Sequence, residues 1–508
     1  MGSNILKKKN IILPVIFIIY FALLVYLARY VKMDSDYANL VLEANEVIHG
    51  NIFLNGWNLT GLSFVTTDLL YFIFGAIFFG ISTRTYYVAA GLMTAVVVLV
   101  GWLLVKDEID DKFACAVFLC LTGLPCYAAM TALRAHTGAV IWAFLAILMI
   151  ARWKRERITK LLVLCTAFIA LGAMGDPLTI IIAVMPMIVV AFFDFIRGRE
   201  YWSEAGGFIG PAVAGTVLGT VLDRIYFIVG DANKNQALGN QFFITYENWA
   251  VSRQRYIEKL MCISDIDFLN RKLVSTETLF YAIGTVFLLL GLLVGIVGIY
   301  KFVRDKNSDI ITVLLALAVL VDYVVLRLTS LEFSSNDWSR YMVFVIIAVP
   351  VIIARNMEAI ADFCKADYKI MRIVFTVLAF LVLGFRIVNW KARPMETTEQ
   401  EKLAEVLMDE GLESGYGFFW DASSITVISK GKVRVRAIRD YEPYIWFCKD
   451  EWYDDYVNFV ITSEANGHGI TPEGALSLFG DPVREIEVDG NIIMIYDKDL
   501  SELITGLE

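Results

Sequence analysis

The chain has 508 residues, 58% of them hydrophobic and 19% charged, with a formal net charge of −9. That balance excludes a soluble globular or disordered chain and indicates a polytopic membrane protein, and the acidic excess gives no reason to expect a nucleic-acid partner. Seven cysteines show neither CxxC nor zinc spacing, which suits buried thiols better than a disulfide framework or a zinc centre.

The first element is an apolar run from Ile11 to Val31, preceded by Lys7, Lys8 and Lys9. It is long enough to cross a bilayer. The positive-inside rule holds the lysines in the cytoplasm and sends Asp34 and Asp36 to the far surface. Residues 37–49 read as a juxtamembrane helix, with Leu40, Val41, Ala44, Val47 and Ile48 at helical spacing and Gly50 as a stop. Leu69 to Ile81 is apolar but only thirteen residues long. Counting it as a crossing would turn the basic loop Arg152 to Arg157 outward, so it reads as a juxtamembrane or re-entrant helix on the outer face.

Ten further spans follow at 84–105, 113–130, 137–151, 160–175, 178–196, 206–229, 278–302, 310–328, 341–354 and 372–390. Basic clusters at Lys106 with Lys112, Arg152 to Arg157, Arg197 with Arg199, Lys301 to Lys306, and Arg355 to Arg372 mark the cytoplasmic side. With the first span the total is about eleven, an odd number at ~20 residues each, so the C-terminus is expected outside. The fold class is therefore mainly α: a transmembrane helix bundle over 1–392, with a first external loop at 33–83 and an external insertion at 230–277. From 393 to 508 the composition changes to charged residues, turns and alternating strands, as in a small α/β extracytoplasmic domain. Thr397–Glu410 is expected to be helical, and Tyr416–Trp420, Val433–Ile438, Val457–Thr462 and Asn491–Tyr496 to be strands, with Asp489-Gly490 as a hairpin turn.

The external segments hold most of the unusual polar residues: Asp34, Asp36 and Asp68, then Arg134 with His136, then Asp176, then Asn336-Asp337-Trp338-Ser339-Arg340-Tyr341. Carboxylates can accept a proton from a hydroxyl, and guanidiniums can hold a phosphate, so their convergence on one face suits chemistry on an anionic head group. Plainer roles exist for several of them. Asp34 or Asp36 can cap the helix that follows, Asp176-Pro177 can open a helix, and a lone histidine is commonly structural. The DxD spacing of Asp34 and Asp36 also offers two ligands to a divalent cation, with no further ligand in view. Arg340 has no topological reason to stand at a non-positive membrane face.

Taken together, DSDYANLVLEANEVIHGN, TTDLLYFIFGAIFFG, ARWKRERITKLLVLCTAFIALGAMGDP and SRYMVF resemble, in order and spacing, the GT-C type of membrane glycosyltransferase. The branch it resembles holds the dolichyl-phosphate-mannose mannosyltransferases and the lipid A aminoarabinose transferase. The family's acidic pair "DE" is here Asp34-Ser35-Asp36, and the lysine of its "TKGP" stretch is absent at Gly175-Asp176-Pro177. The resemblance implies a bacterial envelope enzyme, a multi-pass cell-membrane protein with its N-terminus in the cytoplasm. It would move a sugar from a polyprenyl-phosphate donor to a glycan or lipid acceptor outside, with inversion. Asp36, or Asp34, would be the catalytic base. Asp68, Arg134, His136, Asp176, Trp338, Arg340 and Tyr341 would bind substrate, and a divalent metal is an open cofactor. The rivals are a transporter or flippase of lipid-linked saccharides, for which Asp322 is the mid-span candidate, and a non-catalytic envelope sensor.

Overall fold

The computed structural model describes residues 2–234, 243–269, 271–305, 308–330, 338–465 and 469–504, with side chains from residue 14 onward apart from 233–234. In the N-terminal part helices run α1 (Gly2–Ala28), α2 (Ser35–Ile48), α3 (Leu69–Phe79), α4 (Thr83–Lys106), α5 (Lys112–Thr122), α6 (Tyr127–Ala132), α7 (Thr137–Glu156) and α8 (Thr159–Gly175). Then come α9 (Met185–Arg197), entered through a π-helical turn at Ile180–Val184, α10 (Trp202–Gly230), α11 (Tyr246–Ile263), α12 (Thr276–Asp305) and α13 (Ile310–Leu328). A 3-10 turn at Trp338–Tyr341 leads to α14 (Val345–Arg355), followed by α15 (Met357–Phe363) and α16 (Tyr368–Ala392). The remainder holds α17 (Glu399–Asp409), α18 (Phe419–Ile428) and α19 (Pro472–Phe479).

Among the described residues eight helices are long and apolar enough to cross a membrane, and Pro14–Ala28, Leu69–Phe79, Lys112–Thr122 and Thr159–Gly175 are shorter apolar helices. The protein is a multi-pass helical membrane protein. The expected span 113–130 stops at Thr122, because Gly123-Leu124-Pro125 interrupts it before α6. The carbonyls left open by that break are satisfied from α16. Arg386 Nη1 donates to Leu121 O at 2.6 Å, and Trp390 Nε1 donates to Pro125 O at 2.8 Å. At the opposite end of the bundle, the basic residues lock adjacent loops: Arg152 and Arg155 hold Asp107, and Arg355 pairs with Asp309 at 2.7 Å.

The short apolar helix α3 turns back on the start of α4 at Gly80, whose φ is 56°. A side chain at Gly75 would press on Thr85 O at 2.8 Å, so the two helices meet backbone to backbone. The expected juxtamembrane helix α2 is enclosed more fully than its sequence suggests. It packs between α3 and α18 of the C-terminal part, and its residues from Tyr37 to Ala44 are all buried.

Strands β1 (Trp57–Leu59), β2 (Asn233–Lys234) and β6 (Cys448–Lys449) form a small sheet in the order β2-β1-β6, which stitches the first long loop to the C-terminal part. There β3 (Ser414–Gly417), β4 (Arg434–Arg439), β5 (Glu442–Pro443), β7 (Phe459–Thr462), β8 (Arg484–Val488) and β9 (Asn491–Ile495) make a six-stranded sheet ordered β5-β4-β3-β7-β9-β8. β3 runs parallel to both its neighbours, while β9 is antiparallel to β7 and β8. Asp489 and Gly490 form the β8–β9 turn with φ of 49° and 83°, the left-handed pair that a two-residue hairpin needs. The expected strand Tyr416–Trp420 is cut short at Gly417, and Phe419–Ile428 is helical instead.

One carboxyl in this part gives a pH-dependent expectation. Asp421 of α18 is buried, which pushes its carboxyl up to about 6, while Gln400 Nε2 donates to its Oδ1 at 2.8 Å. Its folded value lies above the ordinary one. The charged form therefore costs stability above about pH 6, and the cost vanishes as the pH falls below the ordinary carboxylate range. Asp421→Asn keeps an acceptor for Gln400 and is expected to stabilise the protein at pH 8 by up to about 3 kcal/mol, with little change at pH 4. Melting temperatures of the two proteins at both pH values check this; an equal shift at both would refute it.

Candidate functional site

The loop after α1 turns at Asp34, whose Oδ1 accepts from the Asp36 N–H at 3.1 Å and so caps α2. Its other oxygen faces Arg134, with Asp34 Oδ2 and Arg134 Nη2 3.7 Å apart. Asp36 stands in the first turn of α2 with no capping bond of its own, and its Oδ2 is 3.4 Å from Arg340 Nη1. Two carboxylates two residues apart thus each meet a guanidinium from a distant part of the chain.

Arg134 is held rigidly. Its Nε donates to Thr131 O at 2.8 Å, its Nη1 to Lys32 O at 2.5 Å and to Tyr86 Oη at 3.3 Å, and its guanidinium lies 4.1 Å from the Tyr37 ring centre. Arg340 sits in the 3-10 turn before α14, with its guanidinium 5.6 Å from the Tyr341 ring centre. The rigid arginine therefore faces the capping acid, and Arg340 faces the non-capping one.

Behind this pair lies a buried polar cluster. His136 Nδ1 and Asp176 Oδ2 are 2.6 Å apart, and Asp176 Oδ1 accepts from the Leu178 N–H at 2.9 Å. Asp68 accepts from two backbone N–H groups, His136 at 2.5 Å and Gly138 at 2.7 Å. His136 adopts a left-handed φ of 59°, which aims its N–H at Asp68, and its ring lies 4.8 Å from that of Tyr341. Burial pushes the Asp68 carboxyl up to about 6, against the pull of His136 and of its backbone donors. The approach is close: a Cβ on Gly138 would fall 2.5 Å from Thr67 C, so only glycine admits the α7 start here. Asp68, His136 and Asp176 are all buried and bonded to protein groups, which suits bracing of the Arg340–Tyr341 turn from behind.

Asp34, Asp36, Asp68, Arg134, His136, Asp176, Arg340 and Tyr341 thus meet at the end of the bundle that carries the C-terminal part. Trp338 is buried beneath them against Tyr256, their rings 6.3 Å apart. Asn336 and Asp337 lie outside the described residues. Sequence reasoning missed Tyr37 and Tyr86, which fix Arg134; no local signal distinguishes them from other buried tyrosines. It also missed a cavity of about 1250 Å³ at this end, walled by Arg29, Lys32, Met33, Arg84, Trp390 and Arg393 among others. Lys32 and Met33 directly precede Asp34, so the cavity abuts the acids, although the side chains of Asp34, Asp36, Arg134 and Arg340 are not in its wall. Arg29 and Lys32, bases at the non-positive end of α1, were the available hint.

A divalent cation on Asp34 and Asp36 does not fit this arrangement. Asp34 spends one oxygen on its cap and each acid faces a guanidinium; among the described residues no three His, Cys, Asp or Glu side chains gather as ligands. Asp322 of α13 is wholly buried, with Tyr256 as its polar neighbour.

No family model and no curated protein matches the sequence. Solved structures do. ArnT from Cupriavidus metallidurans in the apo state aligns over 97% of this chain and 98% of its own, with a TM-score of 0.55 at 11% identity. The same protein bound to undecaprenyl phosphate aligns over 97% and 99% with a TM-score of 0.49 at 11% identity. The Archaeoglobus fulgidus oligosaccharyltransferase aligns over 84% of this chain and 63% of its own, with a TM-score of 0.45 at 11% identity. The apo alignment runs through the helix bundle and the C-terminal part alike, and the chain has the fold of ArnT.

Proposed function

We propose that this protein is a membrane glycosyltransferase that moves a sugar from a polyprenyl-phosphate carrier to a hydroxyl of a cell-envelope glycan or lipid. The observation that carries the reading is the pair of acids at the start of α2, each set against a guanidinium, at one end of a bundle with the ArnT fold. Asp36 is the better base, because Asp34 is occupied as a cap. In the transfer, Asp36 takes the proton of the acceptor hydroxyl as that oxygen attacks the anomeric carbon from the face opposite the phosphate. The C–O bond to the carrier breaks with inversion, and the bond's electron pair leaves on the polyprenyl phosphate. Arg340 meets the charge that develops on the phosphate, and Arg134 holds the electrostatics of the first acid. His136, with Asp176 and Asp68, keeps the Arg340–Tyr341 turn in place.

The site would face the outside of the cell, with the N-terminus in the cytoplasm. The basic loop Arg152 to Arg157 at the opposite end supports that orientation, and a donor already carried across the membrane by a polyprenyl lipid suits a compartment without nucleotide sugars. The C-terminal part, 393–508, would be extracytoplasmic.

The direct test does not require the acceptor. Polyprenyl phosphate, the leaving product, is expected to raise the melting temperature of the purified protein, by an amount equivalent to about 2.7 kcal/mol at a hundredfold excess over its Kd. Incubation with labelled polyprenyl-phosphate sugars and envelope extract is expected to release free polyprenyl phosphate. No stabilisation by the lipid phosphate and no release from any sugar conjugate would refute the reading.

A further inference from the structure

The segment between α10 and α12 carries a surface that the transfer chemistry does not use. One face of α11 is buried: Ser252, Tyr256 and Ile263 pack inward, with the Tyr256 ring 5.0 Å from Tyr323 of α13. Beside that face Tyr246, Trp249 and Ile257 recur at helical spacing and are exposed. Arg253 lies on the same stripe. Past the helix, Leu273 and Val274 stand 89% and 91% exposed, just ahead of Thr276, the first residue of α12.

These side chains lie outside the spans yet at their level. The Phe243–Thr329 bridge, the Ile244 N–H to Leu328 O bond of 3.0 Å and the Arg327 bond to Trp249 O tie the start of α11 to the last turn of α13. Leu328 ends α13, and α10 and α12 deliver the segment to the same surface. Tyrosine and tryptophan are the residues that settle where hydrocarbon meets water, and an arginine among them can run its stem along the apolar side and lift its charge outward.

We propose that α11 and the Leu273–Val274 turn lie in the interfacial layer of the membrane leaflet on this side, with Tyr246, Trp249, Ile257, Leu273 and Val274 toward the acyl chains. The partner is a lipid surface rather than a second copy of the chain, because the anchoring points are span ends and the exposed stripe continues into the span α12. Between Phe243 and Glu277 the sequence has five basic and five acidic residues, so the seating is apolar and does not depend on anionic lipid. The buried side of the same helix touches Trp338, two residues before Arg340, so the Arg340 turn rests on an element seated in the bilayer.

The test uses the full chain in lipid nanodiscs, with the exposed Cys262 and Cys364 replaced by serine. Nitroxide labels go in singly at Tyr246→Cys, Leu273→Cys and Arg255→Cys, the last on the polar face. Labels at 246 and 273 are expected to collide with oxygen more than with a water-soluble nickel chelate, and the label at 255 to show the reverse. The pattern is expected to hold in neutral and in partly anionic bilayers. Water-like accessibility at 246 and 273 overturns the proposal. So does dipolar broadening with low access to both reagents, which would mark a protein partner or second copy.

Discussion

Asp36→Asn is expected to lower the proposed sugar transfer by about 10²–10⁴-fold and to leave binding of polyprenyl phosphate within about twofold. The substitution keeps the side chain's shape and one oxygen toward Arg340 but takes away the group that can accept the hydroxyl proton. Folding is not at issue, because the cap of α2 is Asp34, whose Oδ1 holds the Asp36 N–H. Asp34→Asn preserves that cap, since asparagine caps about as well as aspartate, and is expected to lower the rate far less. The measurement is turnover and lipid-phosphate affinity on both purified variants. Wild-type turnover by Asp36→Asn, or a larger loss at Asp34→Asn, would move the base to Asp34 or off the pair.

The second large effect is at Arg340. A guanidinium can grip a phosphate by two parallel hydrogen bonds, and lysine offers a single point charge. Arg340→Ala is expected to cost about 10²–10³-fold in rate, near 2.7–4 kcal/mol, together with donor affinity. Arg340→Lys keeps part of the affinity and loses most of the rate. The ion pair with Asp36, at 3.4 Å, offers a competing account in which Arg340 only tunes the acid. That account predicts a displaced pH–rate profile with unchanged affinity for polyprenyl phosphate. The phosphate role predicts lost affinity with the profile in place, so the two measurements together decide.

The helix bundle was legible because length and apolar character are nearly sufficient to mark a span. The short helix Leu69–Phe79 was set apart by its length together with the placement of the basic loops, since Lys112–Thr122 is as short. The failures were local. The expected strand Tyr416–Trp420 carried its aromatic pair Phe419-Trp420 too far, because these residues open α18, which is buried against α2 and β4, where packing outweighs propensity. Arg484–Val488 went unseen because its alternating charges lie on a partly solvated edge strand. At the site, the acids could be named from their place beside the membrane, but not their partners. Arg340 reaches Asp36 across 304 residues and Arg134 binds Lys32 O across 102, contacts that carry no local signature. The division of labour between Asp34 and Asp36 likewise follows from one hydrogen bond, which residue order alone does not place.

The enclosure of α2 between α3 and α18 has a consequence for how the protein is made. The acids' helix leaves the ribosome early, but the groups that cover it come late: Ser424 Oγ donates to Met33 O across 391 residues, and Lys449 pairs with Glu46 across 403. At roughly 5–20 residues per second, synthesis keeps the nascent loop waiting for roughly 20–80 s before its roof exists. During that interval Trp57 has no Trp452 to pack on and β1 has no β6 to pair with. The young chain thus carries an uncovered apolar segment and an exposed strand edge, in need of a chaperone or of the membrane surface itself. The end of the bundle that holds the acid pair is assembled only when translation is nearly over.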